Sequence, residues 1–160
     1  MKKYKWILIL LNLIVLLVFF NRSVMEKERL LKEGKLILLE LAPVDPRSLM
    51  QGDYLSLRYK IGQSFDSIPS ERGYCVVRLQ ADGVANGIRL QEHKTPLDAG
   101  EQLIKYRNAK YEIRLGAESF FFQEGLAEKY DDAKYGGLKV DKDGNSLLVG
   151  LYDEQLKKIE

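Results

Sequence analysis

The sequence feature that most limits the possible folds is an uncharged apolar run close to the N-terminus. The run extends from Trp6 to Asn21, and apart from this last asparagine only Asn12 is polar. As an α-helix it would cover about 24 Å, slightly less than the roughly 30 Å hydrocarbon core of a bilayer. Lys5 and Arg22 flank the run, and their long side chains can reach the headgroups and lengthen the effective span. We therefore predict one transmembrane helix.

A cleaved secretory signal is the alternative interpretation of the same run. It would share the basic start and the apolar middle, but residues 19–25 are bulky or polar where signal peptidase requires small side chains. No cysteine directly follows the run, which excludes a lipoprotein signal. We favour an uncleaved segment, and we assign residues 1–25 to a cytoplasmic tip and membrane anchor.

The charges around the run predict its orientation. Lys2, Lys3 and Lys5 precede it, whereas the mixed-charge stretch Glu26–Arg29 follows it. The positive-inside rule then places the N-terminus in the cytoplasm and residues 23–160 across the membrane. In a bacterium this is an inner-membrane protein with a periplasmic domain. Asn12 lies near the middle of the span, where its amide can hydrogen-bond a neighbouring helix, although a tolerated single amide explains it equally simply.

Charge and rare residues exclude several classes of function. The first 22 residues hold four basic side chains and no acidic one, so 21 basic and 23 acidic side chains remain in the rest of the chain. The exported part therefore gives no electrostatic reason to bind nucleic acid. Cys75 is the single cysteine and His93 the single histidine, which excludes an intrachain disulfide, a cysteine zinc cluster and any two-imidazole site. We predict no metal, no cofactor and no catalytic residue.

The pattern after the anchor changes from helical to extended. Residues 26–34 continue the helix as a stalk, which Gly34 ends. Residues 35–160 then form an exported β-rich domain, since apolar residues alternate with polar ones in several short segments. Predicted strands cover residues 36–41, 53–61, 74–79, 88–90, 110–115 and 119–122, and residues 91–100 are expected to form a loop.

The C-terminal third contains one helical pattern and the strongest hairpin signal. Residues 123–134 carry apolar side chains at helical spacing, so we predict a short helix there. Residues 138–141 and 146–152 flank Lys-Asp-Gly-Asn, which is typical of a hairpin turn. Residues 153–160 are charged, and we expect this tail to fray. The predicted fold is mainly β with one short helix (α+β), on an N-terminal single transmembrane helix.

Residues 52–59 read Gly-Asp-Tyr-Leu-Ser-Leu-Arg-Tyr, which resembles the signature of the GDYxxLxY family. The matching residues are Gly52, Asp53, Tyr54, Leu57 and Tyr59. Members of this family resemble this chain in having one N-terminal span, a Pro-x-Asp-Pro-Arg segment, here residues 43–47, and a later aromatic stretch before Glu-Gly, here residues 120–125. The resemblance implies no activity, because the family is uncharacterised. Its members are often encoded beside, or fused to, multi-pass membrane proteins, which implies a partner in the membrane.

Two interpretations of the motif follow from its chemistry. In the structural one, Gly52 turns the chain into a strand whose Leu57 and Tyr59 face the core. In the functional one, Asp53, Tyr54 and Arg58 form an exposed recognition cluster, because tyrosine and arginine are favoured interface anchors. Glu124, in the second family-like stretch, joins this candidate binding set.

We therefore expect an accessory binding module for another membrane or envelope protein. Two alternatives stay open. One is a serine–lysine hydrolase, because residues 46–53 faintly resemble the serine region of type I signal peptidases. The chain departs from that pattern in two places: Val44 occupies the position of the nucleophilic serine, and Ser48 is misplaced. The other is a ligand-sensing domain.

Overall fold

The computed structural model describes residues 2–42, 54–110, 112–123 and 125–159. Within these residues the chain forms one long α-helix, nine β-strands and two short 3-10 helices. In chain order these are α1 (Lys2–Glu33), β1 (Lys35–Glu40), β2 (Tyr54–Ser56), a 3-10 helix (Lys60–Gln63), β3 (Arg72–Leu79), β4 (Ala85–Gln91), β5 (Glu101–Ala109), β6 (Glu112–Arg114), β7 (Ser119–Phe121), a second 3-10 helix (Ala127–Tyr130), β8 (Tyr135–Val140) and β9 (Ser146–Tyr152).

Helix α1 contains the apolar run and the stalk without interruption. Its large apolar side chains from Tyr4 to Phe20 are all about half exposed or more, so the rest of the protein does not cover them. By length and composition the helix could cross a membrane. Near its C-terminal end Leu30 is only 4% exposed and packs on the β-rich domain. The helix ends at Gly34, whose amide donates to the Leu30 carbonyl oxygen at 2.9 Å.

Three antiparallel sheets enclose one apolar core. The strand orders are β1–β8–β9, β2–β7 and β4–β3–β5–β6. Each sheet contributes fully buried side chains, for example Ile37 from the first, Leu55 from the second and Ile104 from the third. The predicted class, mainly β with an N-terminal helix, is therefore confirmed.

Two turns join consecutive strands into hairpins, one of them at the predicted Lys-Asp-Gly-Asn turn. Strands β3 and β4 pair on either side of Asp82 and Gly83, and β8 and β9 pair on either side of residues 141–145. In the second turn the Asp141 carboxylate accepts the backbone amides of Asp143 and Asn145 at 2.9 and 2.8 Å. These bonds satisfy turn amides that have no strand partner, so the residues act as a structural turn.

Two predicted elements are longer than the elements that the structure contains. The predicted strand over residues 53–61 is shorter, because β7 offers only three residues as a pairing partner and Tyr59 forms an isolated bridge with Leu41 instead. The predicted helix over residues 123–134 is reduced to a 3-10 helix, Ala127–Tyr130. Gly125, with φ +84°, has a backbone conformation that an α-helix does not accommodate.

Two further differences concern strand β5, which the sequence pattern did not predict, and the C-terminal tail, for which the prediction was wrong. Strand β5 was not predicted, although it is the longest strand in the described part of the chain and pairs with β3 along most of its length. Its sequence mixes charged residues with the buried Ile104 and Tyr106, which weakens the alternation signal. The tail does not fray, because the Ile159 amide donates to the Leu151 carbonyl oxygen at 2.9 Å and the Ile159 side chain packs against the core.

Candidate functional site

The end of the Gly-Asp-Tyr motif is built into the core. Leu57 and Tyr59 are both buried, and the Tyr59 hydroxyl donates a hydrogen bond of 2.6 Å to the carbonyl oxygen of Ala117. Burial, with a smaller contribution from the negative Glu118, raises the pKa of the Tyr59 phenol far above its usual value. The phenol therefore stays protonated and serves as a structural donor.

Within the motif, Tyr54–Ser56 forms strand β2, which pairs with β7 in a two-stranded ribbon. Tyr54 is paired with Phe121, Leu55 with Phe120, and Ser56 with Ser119. Three of the predicted motif and binding residues, Gly52, Asp53 and Glu124, lie outside the described residues.

One face of this ribbon is exposed, and we call it the ribbon face: Ser56, Arg58, Ser119 and Phe121. Directly paired residues in antiparallel strands project to the same side, so Ser56 and Ser119 share this face. Arg58 is exposed between the buried Leu57 and Tyr59 and continues the same alternation. Phe121 is 74% exposed, so most of its side-chain surface faces solvent.

An aromatic cluster packs between the ribbon and the core. The rings of Phe120 and Tyr130 meet edge to face with centroids 5.0 Å apart, and Phe122 lies 5.5 Å from Tyr130. All three pack against the core. Since Phe120 and Phe122 flank Phe121, the cluster fixes the backbone from which the exposed Phe121 projects.

The four-stranded sheet holds a buried carboxylate that the sequence did not reveal. The Glu101 side chain is fully buried and accepts two hydrogen bonds of 2.8 Å from Arg89. The backbone amide of Asp98 donates at 3.0 Å, and Arg78 at 3.3 Å. The hydrogen bonds from Arg89, followed by that from Asp98, lower the pKa of Glu101 to about 2. Glu101 is thus ionised at neutral pH, and its hydrogen bonds to the arginines join β3, β4 and β5.

The other candidate groups lack the environment that chemistry needs. Cys75 is fully buried, and burial raises the pKa of its thiol to about 12, so it is an inert core residue. His93 is exposed. In the described part of the chain, no hydrogen bond joins a serine hydroxyl to a lysine amine; Ser64 and Ser146, for example, donate to backbone carbonyls. A serine–lysine hydrolase needs that pair, so the hydrolase alternative has no support among the described residues.

The region from the middle of α1 through the motif strand to β9 matches a protein-family model. The model of the family described as GDYXXLXY protein covers residues 16–151. The chain belongs to the GDYXXLXY family. The match begins inside the apolar helix and ends at the last core strand, so in this GDYXXLXY protein the helix and the β-rich domain fall within one family unit. No curated protein and no solved structure matches the chain.

Proposed function

We propose that this GDYXXLXY protein is a membrane-anchored accessory module that binds another membrane or envelope protein through the ribbon face. The N-terminus is cytoplasmic, residues 1–25 form the tip and anchor, residues 26–34 form the stalk, and residues 35–160 form a periplasmic domain without a catalytic role. The observation that carries the proposal is the exposure of Phe121, 74%, on the strand that pairs with the motif strand.

The exposure of α1 supports the anchor. A helix whose apolar side chains lie uncovered over five turns needs a lipid environment or another protein around it. The charged side chains that follow the apolar run, such as Glu28 and Lys32, lie 3.8 Å apart on the helix surface in an i, i+4 ion pair suited to water. The boundary between lipid and water therefore falls before residue 26.

The composition of the ribbon face supports protein recognition. Aromatic and arginine side chains are enriched in the centres of protein interfaces, and the ribbon face presents Phe121 and Arg58 beside two small serines. Tyr54 occupies the register position opposite Phe121. In the sequence, Asp53 directly precedes Tyr54, and Glu124 follows Phe121 by three residues. The rigid aromatic cluster under the ribbon reduces the ordering that binding would require.

Photocrosslinking at the ribbon tests the proposal. Phe121 is replaced by a benzophenone derivative of phenylalanine in the full chain, expressed at its native level in its own membrane. We expect one dominant adduct with a membrane or envelope protein, and we expect Arg58→Glu in the same chain to abolish it. The matched control places the same derivative at Ile88, an exposed apolar residue on β4 of the four-stranded sheet. We expect no such adduct from that position.

Two results would contradict the proposal. One is equal crosslinking from positions 121 and 88, which would indicate nonspecific proximity. The other is a single monomeric species without an adduct after extraction in mild detergent.

A further inference from the structure

Three arginines lie side by side across the outer surface of the four-stranded sheet. Arg72 on β3 is directly paired with Arg107 on β5, which is directly paired with Arg114 on β6. We call these residues the arginine row. Adjacent strands are about 4.8 Å apart, so the row extends over roughly 10 Å, and directly paired residues project to the same side. All three are exposed.

The row is poorly neutralised by the protein itself. Among the described residues, the one ion pair in the row joins Arg114 to Glu112, at 3.8 Å. Two other arginines of the same sheet, Arg78 and Arg89, are neutralised by ion pairs with Glu101. Like charges at directly opposed positions destabilise a sheet. The arginine row therefore costs the fold stability, as binding sites commonly do.

A cleft of about 820 Å³ lies along the row. Its lining includes all three arginines together with Lys105, Glu92 and Glu118. Two of the latter are engaged elsewhere: Lys105 donates to Asn145 at 2.7 Å, and a Glu118 oxygen accepts the amides of Leu115 and Gly116. These hydrogen bonds leave the charges in place. The cleft is therefore lined by four cationic side chains, the three arginines and Lys105, against the two carboxylates of Glu92 and Glu118, and positive charge prevails there.

We propose that the arginine row binds a phosphate-bearing anion with more than one charge, as a soluble diphosphate-type compound or as a lipid headgroup. The guanidinium fork matches two oxygens of a phosphate group, and three forks across roughly 10 Å exceed what a single carboxylate can engage. The site lies in a different sheet from the ribbon face, so it is independent of the protein-binding function proposed above.

Calorimetric titration of the full chain in neutral detergent with pyrophosphate tests the site. We expect saturable binding that Arg107→Gln weakens about tenfold or more, with Arg107→Lys between the two, because lysine keeps the charge but loses the fork. The matched control Arg29→Gln removes one exposed arginine of the stalk, outside the cleft, and should leave the affinity unchanged. Absence of binding, an unchanged affinity in Arg107→Gln, or citrate binding as tightly as pyrophosphate would each overturn the proposal.

Thermal unfolding without ligand separates a lost site from a lost fold. Because Arg107 is opposed by an arginine on both sides, Arg107→Gln should unfold at a higher temperature than the wild type. Pyrophosphate should raise the unfolding temperatures of the wild type and of Arg29→Gln equally, and that of Arg107→Gln by less. A lower unfolding temperature of Arg107→Gln would contradict the argument that repulsion strains the row.

Nanodiscs distinguish the two sources of phosphate. Pyrophosphate affinity is compared between discs containing cardiolipin, whose headgroup carries two phosphates, and discs of equal surface charge containing a sulfolipid. A lipid headgroup in the cleft competes with pyrophosphate, so the affinity should be lower in the cardiolipin discs alone. Equal affinities in the two discs assign the site to a soluble phosphate compound and overturn the lipid source.

Discussion

The hydroxyl of Tyr59 and the carbonyl oxygen of Ala117, 58 residues apart in the chain, are joined by a buried hydrogen bond of 2.6 Å. This bond connects the last residue of the motif to the loop that leads into β7, the strand that pairs with Tyr54–Ser56 of the same motif. The described part of the motif is thereby held at both Tyr54–Ser56 and Tyr59 by one neighbouring segment.

Removing this hydroxyl should destabilise the domain. Tyr59→Phe keeps the ring but leaves the Ala117 carbonyl oxygen buried without its donor, at a cost of about 1–3 kcal/mol in the free energy of unfolding. Chemical denaturation of the detergent-solubilised chain, followed by circular dichroism, measures it. Tyr135→Phe is the matched control, because this half-buried hydroxyl makes no hydrogen bond within the described structure. Equal stability losses in the two variants would refute the role assigned to Tyr59.

A methyl group at Gly136 should also disturb the motif. A Cβ atom there would lie 2.8 Å from a ring carbon of Tyr59, which cannot move away because it is fixed in the core. We expect Gly136→Ala to lower the free energy of unfolding by about 1–3 kcal/mol. In Gly150→Ala, on the neighbouring strand, the new atom would meet only the flexible end of Lys158 at 2.6 Å. That control should lose much less stability, and the same denaturation experiment compares the two.

Acid should destabilise the domain through Glu101. Its pKa is about 2 in the folded state, below the usual value of 4.5, so the unfolded chain binds the proton more tightly. The stabilisation is present above pH 4.5 and is lost as the pH falls from there to about 2. Glu101→Gln should be less stable at neutral pH and should show a flatter pH dependence over that window. Glu154→Gln, at an exposed position, should keep the wild-type dependence; a wild-type slope in Glu101→Gln would contradict the assignment.

The anchor should remain attached in the mature protein. Intact mass spectrometry is expected to find residues 1–25 on the membrane-bound chain, with a C-terminal tag accessible only from the periplasm. Leu13→Lys places a charge in the middle of the span at a cost of about 2.5–3.5 kcal/mol, so it should shift protein from the membrane to the soluble fraction. Leu31→Lys, beyond the span and already exposed, should not. An N-terminus trimmed beyond Phe20 would show that the run is a signal sequence.

Local chemistry made part of the fold predictable. The hairpin of β8 and β9 follows from an Asp-Gly turn between apolar segments, and the burial of Leu57 and Tyr59 follows from simple alternation. Strand β5 was missed because two consecutive residues, Leu103 and Ile104, are both buried and the buried Glu101 is charged, which breaks the alternation of apolar and polar residues. Tertiary pairing with β3 overrides that weak local signal.

The sites depend on distant partners, which no single segment encodes. Alternation could place Arg107 on an outer face, but its alignment with Arg72 depends on strand register, which is set by packing. The Ala117 acceptor of Tyr59 and the arginine partners of Glu101 are likewise brought together only by the tertiary fold. Exposure of Phe121 gave no sequence signal, because its two phenylalanine neighbours pack inward while it does not.

The unbroken course of α1 to Glu33 and the packing of Leu30 at its end have a geometric consequence. With residues 1–25 as the anchor, residues 26–33 raise the domain by about 12 Å along the helix axis. A helix, unlike a flexible linker, fixes both that height and the direction in which the domain faces. A partner of the kind proposed above would then have to present its matching surface at that one elevation above the lipid.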